Sequence, residues 1–193
     1  MVDVVVKLGG GLLADTARFD SVLASIGAAG RARRLLVVPG GGPFADAVRD
    51  IDRRLRLSDD AAHWMAVLAM DQYAYLIADR LADGVLIADT RAVVTALDAG
   101  KLPVLAPFQW MREADPLPHS WDVTSDSIAA WIAGEVGARR LVLVKPSGAL
   151  QHAAADINLV DKYFVRSVPA GIEVVVVAAD QRDGLRRAMQ LFD

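Results

Sequence analysis

The sequence predicts an α/β fold, a mostly parallel sheet covered by helices on both faces. Three observations carry that expectation. Short β-branched runs such as Val4-Val5-Val6 and Val174-Val175-Val176-Val177 are apolar at consecutive positions, as strands buried on both faces require. They alternate with longer stretches whose apolar residues recur at three- and four-residue spacing. No repeat, low-complexity linker or clear boundary interrupts this alternation, so one layered domain over residues 1–193 is expected.

Taken in order, the first strand runs through Val2–Leu8 and ends in Lys7 and then Gly9-Gly10-Gly11. Asp15 or Thr16 can cap a helix with Phe19, Val22, Leu23 and Ile26 on its apolar face, ended by Gly30. Leu35–Val38 is a second strand, closed by Pro39-Gly40-Gly41-Gly42. A helix starts near Pro43, where the missing N–H is harmless, with Phe44, Val48, Ile51 and Leu55 on one side. Asp59 and Asp60 open a long helix through Tyr73. Gly84–Ala88 is a third strand, Thr90 caps a short helix to Gly100, and Leu102–Ala106 is a fourth strand. Pro103 places that strand near an edge, because proline cannot donate to a ladder.

Pro107–Trp121, with three prolines and two tryptophans, is the least regular segment, and a loop of that length is usually functional or disordered. A helix over Ser125–Val136, a strand over Leu141–Val144, a helix near Asp161–Val168, a strand over Glu173–Val177 and a last helix over Arg182–Leu191 complete the pattern.

Composition narrows the function classes. The chain has 193 residues, 54% hydrophobic and 23% charged, with a net charge of −3 and no continuous basic stripe. That argues against a general nucleic-acid binder. The absence of cysteine excludes disulfides and thiolate metal sites. No apolar run approaches the ~20 residues of a membrane span, and no secretory pattern precedes Lys7. A cytoplasmic protein without a membrane partner is the expectation.

The stretch that invites chemistry is the first one. Lysine is almost never fully buried without a partner, so Lys7 at the end of a buried strand, beside glycines, is a candidate anion site. Ligands of open α/β sheets sit at the carboxyl ends of the strands, where glycine lets backbone N–H groups approach an anion and a following helix adds its dipole. Either triplet alone can be a tight strand-to-helix turn. Gly9-x-Gly11-x-x-Ala14 fits a loose dinucleotide fingerprint, but the second strand ends in Val38-Pro39-Gly40 with no acid for the ribose. A P-loop needs Gly-Lys-Ser or Gly-Lys-Thr, and the chain has neither.

Val5-Val6-Lys7-Leu8-Gly9-Gly10 and Val37-Val38-Pro39-Gly40-Gly41-Gly42 together resemble the amino acid kinase superfamily, which includes acetylglutamate, aspartate, uridylate and isopentenyl phosphate kinases. The resemblance covers essentially the whole chain. It implies a three-layer αβα sandwich of the carbamate kinase-like type, with an acceptor-binding part over about residues 1–120 and a nucleotide-binding part over about 121–193. It implies Lys7 on the transferring phosphoryl group, with Gly9 and Gly10 donating N–H bonds to it. Gly40, Gly41 and Gly42 would hold the acceptor.

Trp121-Asp122-Val123-Thr124-Ser125-Asp126 opens a helix, and capping alone can explain Ser125 and Asp126. The resemblance makes Asp126 the aspartate that orients the phosphate-binding lysines, with Thr124 and Ser125 beside it on the substrate. It makes Lys162 the candidate second phosphate lysine, although a surface lysine would look the same in sequence. Two lysines and backbone N–H groups supply the positioning and charge neutralisation that phosphoryl transfer needs. ATP would be the donor. No carboxylate cluster suggests a protein-built metal cage, so Mg²⁺ would be carried by the nucleotide.

Asp60-Ala61-Ala62-His63-Trp64-Met65, the Trp121–Asp126 stretch and Val160-Asp161-Lys162-Tyr163-Phe164 resemble one small branch of that superfamily. It is the branch of methanofuran- and methylofuran-pathway kinases acting on an aminomethylfuran-methyl phosphate. On that resemblance Asp59 or Asp122 would face the substrate ammonium and His63 its phosphate. Asp59 and His63 lie four apart on one helix face, which is also how an ordinary packed helix would read. One departure stands out. Where the superfamily has an acid and a glycine beside the nucleotide, this chain has Lys145-Pro146-Ser147-Gly148, which puts Lys145 and Gly148 at the ATP. The alternatives are a kinase for another small acceptor, or a binding protein that kept the anion loops without turnover. Apolar helix surface after Asp60 favours a homo-oligomer, a dimer first.

Overall fold

β1 (Val4–Leu8) has no polar alternation, and the fold gives it apolar cover on both faces by placing it inside the sheet. The computed structural model describes residues 1–148, 150 and 159–190. Among these, β1, β2 (Leu35–Pro39), β3 (Gly84–Ile87), β4 (Leu102–Leu105), β5 (Arg140–Lys145) and β6 (Glu173–Ala178) form one parallel sheet in the order β3-β4-β2-β1-β5-β6. Val6 is flanked by Val37 on one side and Val142 on the other. The chain builds outward from β1 through β2, then returns and crosses to β5 on the opposite side. That reversal puts the ligand crevice of an open sheet at the carboxyl ends of β2, β1 and β5.

The helices are α1 (Thr16–Gly30), α2 (Gly42–Leu55), α3 (Asp59–Arg80), α4 (Thr90–Asp98), α5 (Phe108–Ala114), α6 (Ser125–Glu135), α7 (Phe164–Ser167) and α8 (Arg182–Ala188), with a 3-10 turn over Gly10–Ala14. Val4, Val6 and Leu8 face a core shared with Phe19 and Ile26 of α1 and Leu185 of α8. Val5 and Val38 face a second core with Ile128 and Ile132 of α6 and Val93 of α4. α3 feeds both, through Tyr73 and Ile77 in the first and Trp64, Val67 and Met70 in the second. The three-layer αβα sandwich therefore stands as expected. No helix among the described residues is long and apolar enough to cross a membrane.

Local departures have local causes. Asp15 caps α1 by accepting from Arg18 N at 2.9 Å. Asp89, not Thr90, caps α4 by accepting from Ala92 N at 2.8 Å. On α2 the buried face is Ala45 and Val48, while Leu55 is 70% exposed. β4 is an inner strand, not an edge. The N–H groups of Leu102 and Ala106 bond toward β3, to Asp83 O and Ile87 O. Alternation turns position 103 toward β2, where pairing is limited to Val37–Val104, so the missing N–H of Pro103 interrupts little. The Pro107–Trp121 segment contains α5, whose first N–H, on Phe108, bonds the Asp71 carboxylate of α3 at 2.9 Å. α7 is a single turn, shorter than the expected Asp161–Val168 helix. α8 ends at Ala188, and the expected end at Leu191 lies outside the described residues.

The two glycine loops touch backbone to backbone. A Cβ on Gly10 would lie 2.4 Å from Gly42 N and 2.6 Å from Gly42 Cα. Gly10→Ala should therefore lower unfolding free energy by about 1–3 kcal/mol in a denaturant titration, since backbone cannot swing aside as a side chain can.

Candidate active site

A strand's two-residue period puts Lys7 on the face shared with Val5, toward α6. There it meets Asp126, in the first turn of α6. Lys7 Nζ lies 2.8 Å from Asp126 Oδ1, and Lys145 Nζ, at the end of β5, donates to Asp126 Oδ2 at 2.6 Å. Asp126 Oδ1 has no aligned hydrogen bond besides the ion pair. The side chains of Lys7 and Asp126 are only 5% and 6% exposed, and that of Lys145 12%. Burial pushes the Asp126 carboxyl up, but the two ammonium groups outweigh it and hold it below the usual carboxylate range. Burial and the neighbouring Lys7 charge hold Lys145 below the ordinary lysine value despite its carboxylate partner. Two buried ammonium groups thus meet at one carboxylate in a place poor in water, with Asp161 also acting on Lys145 through its charge.

The loops beside the lysines supply donors. Gly9 N–H bonds Val144 O at 2.8 Å and Gly40 N–H bonds Leu8 O at 2.7 Å, so both are taken up in joining strands. The Gly9 N–H is thus not free to donate to a phosphate as the resemblance implied; the next residues along are Gly10 and Gly11. These open the 3-10 turn, where N–H groups have no partner within the helix. Gly42, at φ +57, opens α2 and leaves its N–H likewise unpaired within the helix.

Between the loops and α3 lies a cavity of about 190 Å³. Gly10, Gly11, Gly41 and Gly42 form its floor, Thr124 and Ser125 one side, and Asp59, His63 and Met70 of α3 another. Ser125 Oγ also stands 3.4 Å from where a Cβ on Gly40 would be, so the α6 start abuts the second loop. Of the residues singled out in the sequence, Gly10, Gly41, Gly42, Asp59, His63, Thr124 and Ser125 line the pocket, while Lys7, Lys145 and Asp126 form their own cluster outside its lining. Lys162 joins neither group. Its side chain is 80% exposed and donates to Asp122 at 2.8 Å, and the second lysine on Asp126 is Lys145 instead. Asp122 is thereby paired with a cation. Gly148, at φ +76, turns the chain after β5 with open space around it.

Sequence reasoning missed four contributors. Asp161 accepts from Thr124 N (2.9 Å), Thr124 Oγ1 (2.8 Å) and Ser127 N (3.0 Å), and from Ser127 Oγ, pinning the start of α6 and hence Asp126. Trp121 walls the pocket, its indole N–H donating to Asp52 at 2.7 Å. Arg49 lies over the Trp121 ring at 4.8 Å and pairs with Asp46. His119 stacks on His63 with ring centres 4.2 Å apart. Asp161 and Trp121 lay within stretches singled out in the sequence, but without these roles; Arg49 and His119 had no local signal. Burial and the nearby His119 charge lower the pKa of His63 to about 4, so it is neutral at pH 7, and its Nε2 is buried without a partner. Among the described residues no group of three or more His, Asp or Glu is placed to hold a metal.

A model described as the amino acid kinase family matches residues 4–150. The chain is 28% identical over 195 aligned residues to the [5-(aminomethyl)furan-3-yl]methyl phosphate kinase of Methanocaldococcus jannaschii, covering 97% of this chain and 80% of that one. Among solved structures, the UMP kinase of Ureaplasma parvum superposes with a TM-score of 0.72 at 14% identity, covering 94% of this chain and 91% of the other. The uridylate kinase of Archaeoglobus fulgidus gives 0.67 at 13% identity, covering 96% of both chains.

Asp126→Asn would leave two buried ammonium groups facing each other without a counter-charge. Unfolding free energy should fall by about 3–5 kcal/mol in chemical denaturation at neutral pH.

Proposed function

The chain belongs to the amino acid kinase family, and from that premise we propose that it transfers the γ-phosphoryl group of ATP to a small phosphate monoester that carries an amine. The acceptor that fits best is an aminomethylfuran-methyl phosphate, of the kind named for the M. jannaschii relative. The observation that carries the reading is the pair of buried lysines on Asp126, at the carboxyl ends of β1 and β5 and beside two glycine loops.

ATP supplies the phosphoryl group and carries Mg²⁺ on its own phosphates. The ammonium groups of Lys7 and Lys145 bind its transferring phosphoryl oxygens, and Asp126 keeps both cations charged and at a fixed spacing. Gly10 and Gly11 N–H groups take further oxygens. These donors neutralise charge that spreads over the oxygens as transfer proceeds. An acceptor phosphate oxygen forms the new P–O bond while the bond to the departing ADP breaks, and the ADP oxygen keeps the electron pair. The nucleotide enters from the β5–α6 side, past Gly148, in the part of the chain from about residue 121 onward.

Acceptor recognition rests on the cavity. A volume of about 190 Å³ favours a compact acceptor over a drug-sized one. Ala62, Ala66 and Met70 face Trp121 and Val123 across it, forming an apolar slot for a flat ring. The acceptor phosphate lies at the Gly10–Gly11 and Gly42 end, in line with the lysines. Asp59 and Asp46 line the same cavity, but Asp46 is paired with Arg49. Among the described residues Asp59 makes no ion pair and so is the carboxylate of the cavity available to an ammonium. On α3, Leu68 and Tyr75 are 42% and 66% exposed and seven residues apart, which supports a homodimer through that face.

An ADP-release assay with aminomethylfuran-methyl phosphate tests the reading. Lys7→Ala should lower kcat by about 10²–10³, with the protein still folded. Asp59→Asn should raise the KM of the amine-bearing acceptor while leaving that of a deaminated analogue unchanged. ATP·Mg²⁺ binding without ADP release from any phosphate monoester would identify a binding protein instead.

A further inference from the structure

The segment that carries the cavity wall Trp121 is tied down by an imidazole that the transfer chemistry does not use. His119 sits between two carboxylates on different elements. Its Nδ1 meets Asp60 of α3, and its Nε2 meets Asp115, the C-cap of α5, at 2.8 Å. Its face lies on the buried His63 ring, 4.2 Å between centres and 17° between planes, and its edge meets Trp64 at 5.0 Å. The His119 side chain is only 18% exposed, while Asp60 and Asp115 are 70% and 56% exposed.

A neutral imidazole has one donor and one acceptor nitrogen, and only the imidazolium can donate to both carboxylates at once. The ring beneath must then be neutral, because two stacked imidazolium ions would repel, and His63 is held neutral. Arg112 adds a charge on the same side, lying 4.7 Å over the Trp64 ring. One residue on, Ser120 and Trp121 form the cavity wall, and Asp52 and Arg49 hold the indole from the α2 side.

We propose that His119 is a positioning residue for the acceptor site: as an imidazolium bridging Asp60 and Asp115, it latches the 115–121 segment onto α3 and sets Trp121 against the acceptor, so acceptor affinity falls when His119 loses its proton. This rests on the cavity being the acceptor site. Burial acts to lower the His119 pKa, but the hydrogen bonds and charges of Asp115 and Asp60 outweigh it and raise it above the ordinary 6.5. A raised value means that the folded state holds this proton more tightly than the unfolded one. The latch's contribution is therefore complete below about pH 6.5 and lost as the pH rises through the folded-state value.

Two measurements decide it. In ¹H–¹⁵N spectra of the protein alone, His119 should carry protons on both ring nitrogens at about pH 6, below the ordinary midpoint of 6.5 that its carboxylate partners raise. The indole N–H signal of Trp121 should shift with the midpoint of His119, and Asp60→Asn, at an exposed carboxylate, should move both midpoints down together. A singly protonated His119 at that pH, or a Trp121 signal indifferent to its titration, overturns the proposal. These spectra need neither acceptor nor turnover, so they decide even if the kinase reading fails. With turnover, the acceptor KM should rise about tenfold between a pH well below and a pH well above the His119 midpoint read from those spectra, and be high and flat with pH in His119→Gln, with the KM of ATP unmoved. An acceptor KM in His119→Gln that matches the native protein at both pH values overturns it as well.

Discussion

One carboxylate holding two buried ammonium groups is the constraint around which this structure is arranged. Lys7 lies in the middle of the sheet, where an unpaired cation would be intolerable. Asp126 must therefore reach it from α6, and the start of α6 must be placed to within hydrogen-bond tolerance. Asp161 does that placing, with four hydrogen bonds from Thr124 and Ser127 at the helix start. The Asp161 carboxylate also acts on Lys145 through its charge, so the start of α6 sets the balance of charge at the lysines as well as their spacing.

The glycine loops complete the same arrangement by what they lack. Gly10 and Gly42 approach so closely that side chains there would collide, and this contact joins the ends of β1 and β2 into one floor. The N–H groups of Gly9 and Gly40 hold the strands together, while Gly10, Gly11 and Gly42 open the helical turns, where N–H groups have no partner within the helix. The walls come from elsewhere: α3 supplies a slot of small residues, and the segment after α5 supplies Trp121.

What was legible in the sequence was local. An apolar strand broken by Lys7, two glycine triplets and an acid in the first turn of a helix are readable from neighbours in the chain. With them came the layered fold, and the amino acid kinase family followed. What was not legible depended on pairs far apart. Nothing near Lys145 or Lys162 says which of them meets Asp126; strand register does, since Lys7 and Lys145 end adjacent parallel strands while Lys162 faces solvent beside Asp122. α5 was hidden because its N-terminal partner, Asp71, lies 37 residues away. Pro103 looked like an edge marker because the shortness of the β2–β4 ladder is a tertiary fact. His119 has no motif at all, being defined by Asp60 and His63 on another helix.

The identity of the second lysine is the most direct test of the account. Phosphoryl transfer from ATP to the amine-bearing monoester should be compared in Lys145→Met and Lys162→Met. A loss of about 10²–10³ in kcat for Lys145→Met, with Lys162→Met close to the native protein, is the result the account predicts. Near-native turnover in Lys145→Met, or a matching collapse in Lys162→Met, would contradict it.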